Sequence, residues 1–258
     1  MNLSFQDQPV WVVGGAGYFG SAIVTALDGS GARTICIDLP GRAKALIEGQ
    51  GLTRTTAAEF DIGDTEAVPN YVSGLIELFG APSGVVILAM GTSSGKSFEE
   101  ITGEDFDRTL RLSVTANHIF ARAAADRMQG GSLVFFSSMY GLGSPHPEDY
   151  QPGDQGRMTV NPVDYGASKA AIVQLTRYFA MQYGRHGIRA NCVAPGPFPN
   201  PGVQAAHPEF VANLSGRTML GRIGQSPEIS GVVLFLLSPA SAFVTGQCLA
   251  VDGGWTAW

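Results

Sequence analysis

Tyr165 and Lys169 stand four positions apart in the run Tyr165-Gly-Ala-Ser-Lys169. On a helix, positions i and i+4 share a face, so the phenol and the ammonium point the same way. An ordinary tyrosine titrates near pH ~10 and must lose ~3 units, or ~4 kcal/mol, to act as a base near neutrality. A lysine charge ~5 Å away at an effective dielectric of ~20 supplies ~3 kcal/mol of that. By themselves the two residues read as a surface tyrosine beside a solvated lysine, and it is their surroundings that change the reading. Ser138 follows the apolar run Leu133 to Phe136, at the carboxyl end of a predicted strand, and its hydroxyl can hold a substrate oxygen against the phenol. Ser137 competes for that role. Strand alternation sends the two side chains to opposite sides, which favours Ser138, although either serine also suits a turn.

A second group of residues suits a phosphate-bearing ligand. Gly14, Gly17 and Gly20 recur at three-residue steps in Val10-Trp-Val-Val-Gly-Gly-Ala-Gly-Tyr-Phe-Gly20, between a predicted strand and a predicted helix. Glycine lets the backbone approach a pyrophosphate, and the helix N-terminus offers free N–H groups and a positive dipole. Tyr18, Phe19 and, past the next strand, Leu39 fall beside this turn. Asp38 ends Thr34-Ile-Cys-Ile-Asp, 18 residues beyond Gly20. A carboxylate there accepts both ribose hydroxyls of NAD and repels the 2′-phosphate of NADP, which predicts NAD as cofactor. Arg42, close behind, softens that repulsion or is simply a surface charge. Asp61, with Ile62, is expected to end the third strand at the adenine edge, or to cap a helix beginning near Asp64.

These residues need a scaffold, and the pattern supplies one. Val10–Val13, Thr34–Ile37, Val85–Leu88, Leu133–Phe136 and Ile188–Ala194 are nearly continuous apolar runs ending near glycine, aspartate, serine or proline. Strands buried on both faces of a parallel sheet read this way. Helical periodicity occupies 20–27, 67–78, 106–128 and 165–186. Alternating strands and helices predict an α/β fold: one doubly wound parallel sheet with helices on both faces, in a single domain spanning 1–258. The segment 143–162, with four prolines and three glycines, is predicted to be an insertion loop. The polar stretch near 197–222 is predicted to be a substrate lid with a short helix.

Composition narrows the function classes. The 258 residues carry a net charge of −6, from 16 basic and 22 acidic side chains, which argues against a general nucleic-acid partner. No apolar run approaches the ~20 residues of a membrane span. Residues 1–9 lack a secretory pattern, so a cytoplasmic enzyme acting on a small molecule is expected. Cys36, Cys192 and Cys248 are odd in number and widely spaced, supporting neither a disulfide framework nor a zinc site. His146 has no second histidine at ligand spacing, so no metal is expected.

In this order, the glycine turn, Asp38, Ser138, the Tyr165/Lys169 pair, Pro195-Gly196 and Val251-Asp-Gly-Gly-Trp255 resemble the short-chain dehydrogenase/reductase family over nearly the whole chain. The resemblance implies a Rossmann fold, NAD(P) as hydride carrier, and a homotetramer or homodimer. It implies Tyr165 as acid/base, Ser138 as substrate-orienting hydroxyl, and Lys169 on the nicotinamide ribose. Pro195, Gly196 and Phe198 would line the nicotinamide. Three departures stand out. Tyr18 replaces a glycine usual in the single-domain branch. Leu88-Ala-Met-Gly91 replaces the family's Asn-Asn-Ala-Gly, leaving Ala89, Met90 and Gly91 as cofactor contacts. Ser113 aligns with a helix asparagine that anchors a relay water, with Asn117 one turn further on. Ser138 and Tyr165 are 27 positions apart, longer than usual, and the extra residues include His146, Glu148, Asp149, Tyr150 and Asp154. This rim suits a hydroxylated substrate such as a sugar or polyol. Two other readings compete with an NAD-dependent dehydrogenase of secondary alcohols. One is a sugar-nucleotide epimerase or dehydratase, which shares the glycine spacing. The other is a nucleotide-binding scaffold with decayed catalysis.

Overall fold

The computed structural model describes residues 3–90, 93–150 and 160–258. Seven strands form one sheet: β1 (Pro9–Val13), β2 (Arg33–Asp38), β3 (Thr55–Glu59), β4 (Gly84–Ile87), β5 (Gly131–Phe136), β6 (Ile188–Pro195) and β7 (Cys248–Val251). Their order is β3-β2-β1-β4-β5-β6-β7, and every pairing is parallel. The chain starts mid-sheet, runs outward to β3, and returns to lay β4 on the other side of β1. That reversal opens a crevice at the carboxyl ends of β1 and β4, where ligands of open α/β sheets bind.

Nine helices are described: α1 (Tyr18–Gly29), α2 (Arg42–Gln50), α3 (Val68–Phe79), α4 (Gly103–Leu110), α5 (Ala116–Ala125), α6 (Val163–Tyr183), α7 (Pro201–Ala206), α8 (Pro208–Arg217) and α9 (Ser226–Leu237). Strand alternation divides the apolar side chains between two layers. Trp11 and Val13 face α3, α5 and α6, where they meet Val72, Phe120 and Ile172. Val10 and Val12 face α1 and α9, where they meet Ile23, Leu27 and Val233. Each such side chain, fully buried, contributes ~1.5–3 kcal/mol. Both faces of the sheet are therefore covered, which explains the near-continuous apolar strands.

The structure departs from the sequence expectations in several places. The single helix expected over 106–128 is α4 and α5 joined by a π-helical turn, Arg111–Thr115. The wider turn shifts the buried face between the two helices, which a continuous helical spacing does not reveal. Asp61 does not end the third strand, because β3 stops at Glu59; Asp61 instead turns the chain, its Oδ1 accepting from Gly63 N at 2.8 Å. The stretch after β6 holds two helices, α7 and α8, with Asn200 capping the first by accepting from Val203 N at 3.1 Å. β7, the sheet edge, is as short as β4 but only partly buried. The three cysteines are free.

Candidate active site

The turn after β1 explains its glycines. Gly14 has φ 81°, a left-handed conformation, and a Cβ there would sit 2.9 Å from Ala89 N. A Cβ on Gly20 would lie 2.2 Å from Gly14 O. The two glycines thus let the turn pack against β4's end and against the first turn of α1. The α1 N-terminus has no side-chain cap. It borders a cleft of about 580 Å³.

That cleft gathers most of the residues assigned to the cofactor from sequence. Gly14, Gly17, Tyr18, Phe19, Gly20, Asp38, Leu39, Asp61, Ile62, Ala89 and Met90 all line it. Gly91 and Asp154 lie outside the described residues. Sequence reasoning missed Phe60 and Leu112, whose only signals were their places beside Asp61 and Ser113. Asp38 is 6% exposed; Oδ2 accepts from Ala16 N at 2.8 Å and Oδ1 from Leu39 N at 2.9 Å. Arg42 Nη1 lies 3.2 Å from Oδ1. Pro195, Gly196 and Phe198 lie off this cleft. Pro195 ends β6, Gly196 packs on Asp252, and Phe198 meets the Phe19 ring edge-on at 5.3 Å. Backbone that side chains cannot fill, an uncapped helix start and a carboxylate at the end of β2 fit a dinucleotide.

At the end of β5 the two serines separate as alternation requires. Ser137 Oγ donates to Lys169 O at 2.8 Å and braces α6. Ser138 is extended, accepts from Tyr140 N at 3.2 Å, and turns its hydroxyl to the Tyr165 phenol, pulling that pKa downward. Burial acts in the opposite direction and dominates, so the Tyr165 phenol stands above its ordinary value. Lys169 is 4% exposed, donates from Nζ to Phe136 O at 3.0 Å, and stands 5.7 Å from the centre of the Tyr165 ring. Its pKa falls to about 8 through desolvation. The lysine-driven lowering expected from sequence is therefore absent from this geometry. The expectation counted the attraction but not the loss of water around both groups.

The surroundings hold this pair rigidly. Asp164, fully buried one residue before Tyr165, accepts from Ser94 N at 2.9 Å and Thr109 Oγ1 at 2.6 Å, tying α6 to α4 and to the loop after β4. Ser113 sits in the π turn, its hydroxyl buried without a hydrogen-bond partner. Its carbonyl accepts from Asn117 Nδ2 at 2.8 Å. From the insertion, Asp149 and Glu148 meet Arg217 of α8 at 2.8 and 2.7 Å. His146 approaches Trp255 edge-on. Among the described residues no His, Cys, Asp or Glu cluster could hold a metal, and no helix is long and apolar enough to cross a membrane.

Comparison with known proteins bears directly on this arrangement. A family model described as enoyl-(acyl carrier protein) reductase matches residues 16–256. Gluconate 5-dehydrogenase of Gluconobacter oxydans is 35% identical over 83% of this chain and 79% of its own. A short-chain dehydrogenase of Leptospira borgpetersenii, solved with bound NAD+, superposes with a TM-score of 0.84 at 28% identity, covering 98% of this chain and 94% of its own. A gluconate 5-dehydrogenase of Burkholderia cenocepacia, solved with NADP and tartrate, gives 0.85 at 26% identity, covering 100% and 98%. These matches favour neither the epimerase nor the scaffold reading. A nicotinamide dinucleotide is the cofactor, and the chemistry is oxidoreduction of a secondary alcohol and its ketone. With its glycine cleft, its buried Ser138 and Lys169 and its half-buried Tyr165 in that common frame, the chain belongs to the short-chain dehydrogenase/reductase family.

Proposed function

We propose that this enzyme uses NAD in preference to NADP and that Tyr165 moves the carbinol proton. The observation behind the second point is the convergence of Ser138, Tyr165 and Lys169 at the end of β5. When bound, the nicotinamide accepts or returns the hydride. Ser138 Oγ holds the substrate oxygen against the Tyr165 hydroxyl, which takes or gives its proton. Lys169, desolvated by burial, holds the nicotinamide ribose. Ser113, with Asn117 bracing its carbonyl, stands at the start of the path that returns the proton to water. Gly14, Gly17, Tyr18, Phe19 and Gly20 cradle the pyrophosphate, and Leu39, Asp61, Ile62, Ala89 and Met90 line the adenosine side. Pro195, Gly196 and Phe198 border the nicotinamide.

Asp38 supports the preference for NAD, since a carboxylate 6% exposed repels a 2′-phosphate. Residues 143–162 form a substrate-covering insertion and 197–222 a lid, and their acids suit a hydroxylated substrate such as a sugar or polyol. The exposed Tyr178 and Met181 of α6 suit contact with a second copy, as dimer or tetramer. The acidic composition and free thiols suit the cytoplasm. The test is Tyr165→Phe, followed by absorbance of the reduced cofactor over a panel of secondary alcohols. Turnover should fall by ~100-fold or more while cofactor binding persists; full activity in this variant overturns the assignment.

A further inference from the structure

The catalytic reading leaves the cysteine thiols unused, and two of them stand side by side. Cys192 on β6 and Cys248 on β7 are directly paired in the sheet register. Paired residues of neighbouring strands send their side chains to the same face, and such strands lie ~4.8 Å apart. A disulfide spans Cα atoms ~4.4–6.8 Å apart, so the two backbones already stand within reach of one. Both side chains pack into the layer under α5 and α6, and a hydrogen bond joins the two thiols. Cys36 lies in the opposite layer, on β2.

The two paired thiols are not equivalent. Cys192 is fully buried, whereas Cys248 is half-buried at the sheet edge. A small oxidant therefore meets Cys248 first. The hydrogen bond with Cys192 and the charge of Arg177 on α6 hold the Cys248 thiol below its usual range, and thiolate is the reactive form. The same bond, with burial, holds the Cys192 thiol above its own. Cys36 is raised to about 12 by burial and by the nearby Asp38, so it stays a thiol.

We propose that Cys192 and Cys248 form a redox modification site, which a hydroperoxide closes to a disulfide and a thiol reductant reopens. The Cys248 thiolate attacks a peroxide oxygen; the O–O bond breaks, and hydroxide leaves to take up a proton as water. The Cys192 sulfur then attacks the sulfenic acid formed on Cys248. The S–S bond forms, the S–O bond breaks, and the departing hydroxide takes the Cys192 proton as a second water. Two thiols are oxidised and one peroxide is reduced by the same two electrons.

Closing this bond moves the sheet edge. The Cβ atoms must come from the strand spacing of ~4.8 Å to the ~3.8 Å of a disulfide, a shift of about 1 Å. β6 is held between β5 and β7, so the edge strand β7 gives way. β7 ends at Val251, whose carbonyl accepts from Gly196 N at 3.0 Å. A Cβ on Gly196 would sit 2.4 Å from Asp252 Cα, so a shift of β7 is passed to Gly196. On the reading that Pro195 and Gly196 border the nicotinamide, on which this consequence rests, oxidation weakens cofactor binding.

The test treats the full-length enzyme with hydrogen peroxide, blocks the remaining thiols with iodoacetamide in denaturant, and maps the peptides by mass spectrometry. A Cys192–Cys248 cross-linked peptide that dithiothreitol removes is expected, with Cys36 recovered as a blocked thiol. Titration with NADH should give a Kd roughly fivefold weaker in the oxidised enzyme, restored by dithiothreitol. Cys248→Ser should bind NADH equally before and after peroxide. Cys248 recovered as a sulfinic acid beside a free Cys192, or linked to a second chain, overturns the proposal without any variant. A Cys248→Ser enzyme that loses NADH affinity on oxidation assigns the loss to another group and overturns the link to the cofactor. A disulfide that forms and leaves NADH affinity unchanged overturns that link as well, while the modification site stands on the cross-linked peptide.

Discussion

Lys169 is buried beside Tyr165 with its ammonium on the Phe136 carbonyl at 3.0 Å, and desolvation lowers its pKa from 10.5 to about 8. Below pH 8 the side chain is charged in both folded and unfolded chains, and the folded state carries the cost of its lost water. At pH 7 that cost is about 3 kcal/mol. Between pH 8 and 10.5 the unfolded chain binds more protons than the folded one, so stability rises with pH, and most of the cost is gone by pH 10. Lys169→Met keeps the stem and removes the charge, while leaving the Phe136 carbonyl without its donor at a cost of about 1 kcal/mol. The ligand-free variant should therefore be more stable than wild type at pH 7 by about 2 kcal/mol, or roughly 4–8 °C in Tm, although catalytically impaired. That advantage should vanish by pH 10. Urea denaturation at pH 7, 8, 9 and 10 measures it, with equal slopes confirming comparable unfolded states. Tyr165 and the other phenols titrate in both proteins and cancel in the difference. A stability gap that does not change with pH, or a wild type more stable at pH 7, would refute the claim that this lysine is held against its solvation.

Two further outcomes follow from named contacts. Asp38→Asn keeps an oxygen for the Ala16 and Leu39 N–H groups but removes the charge; the NAD-to-NADP ratio of kcat/KM should drop by roughly tenfold, and an unchanged ratio would remove the basis for NAD preference. Arg217→Ala cuts α8 from Glu148 and Asp149; substrate KM should rise by about fivefold, the scale of a partly exposed ion pair worth ~1 kcal/mol, with cofactor KM unaffected.

Much of the site was readable because its chemistry is local. Gly14 and Gly20 are needed by a turn only seven residues long, and Tyr165 and Lys169 share a helix face whatever surrounds them. The choice of Ser138 over Ser137 needed only strand alternation, and the structure shows the two hydroxyls turned to different partners. The places where reading failed were non-local. Phe60 and Leu112 join the cleft because β3 and the π turn end beside it, and nothing in their own neighbourhoods announces this.

By itself, then, the sequence determined a parallel sheet covered on both faces and the spacing of the candidate site residues along it, because burial on both faces and helical spacing write themselves into adjacent residues. Only the tertiary structure decided the balance of charge at Tyr165, where desolvation outweighs attraction and moves phenol and ammonium in opposite directions. It alone also brought Asp149 and Arg217, 68 positions apart, into an ion pair. Desolvation depends on every neighbour in space, and a hydrogen bond depends on which partner arrives, and neither is a property of a local stretch of chain.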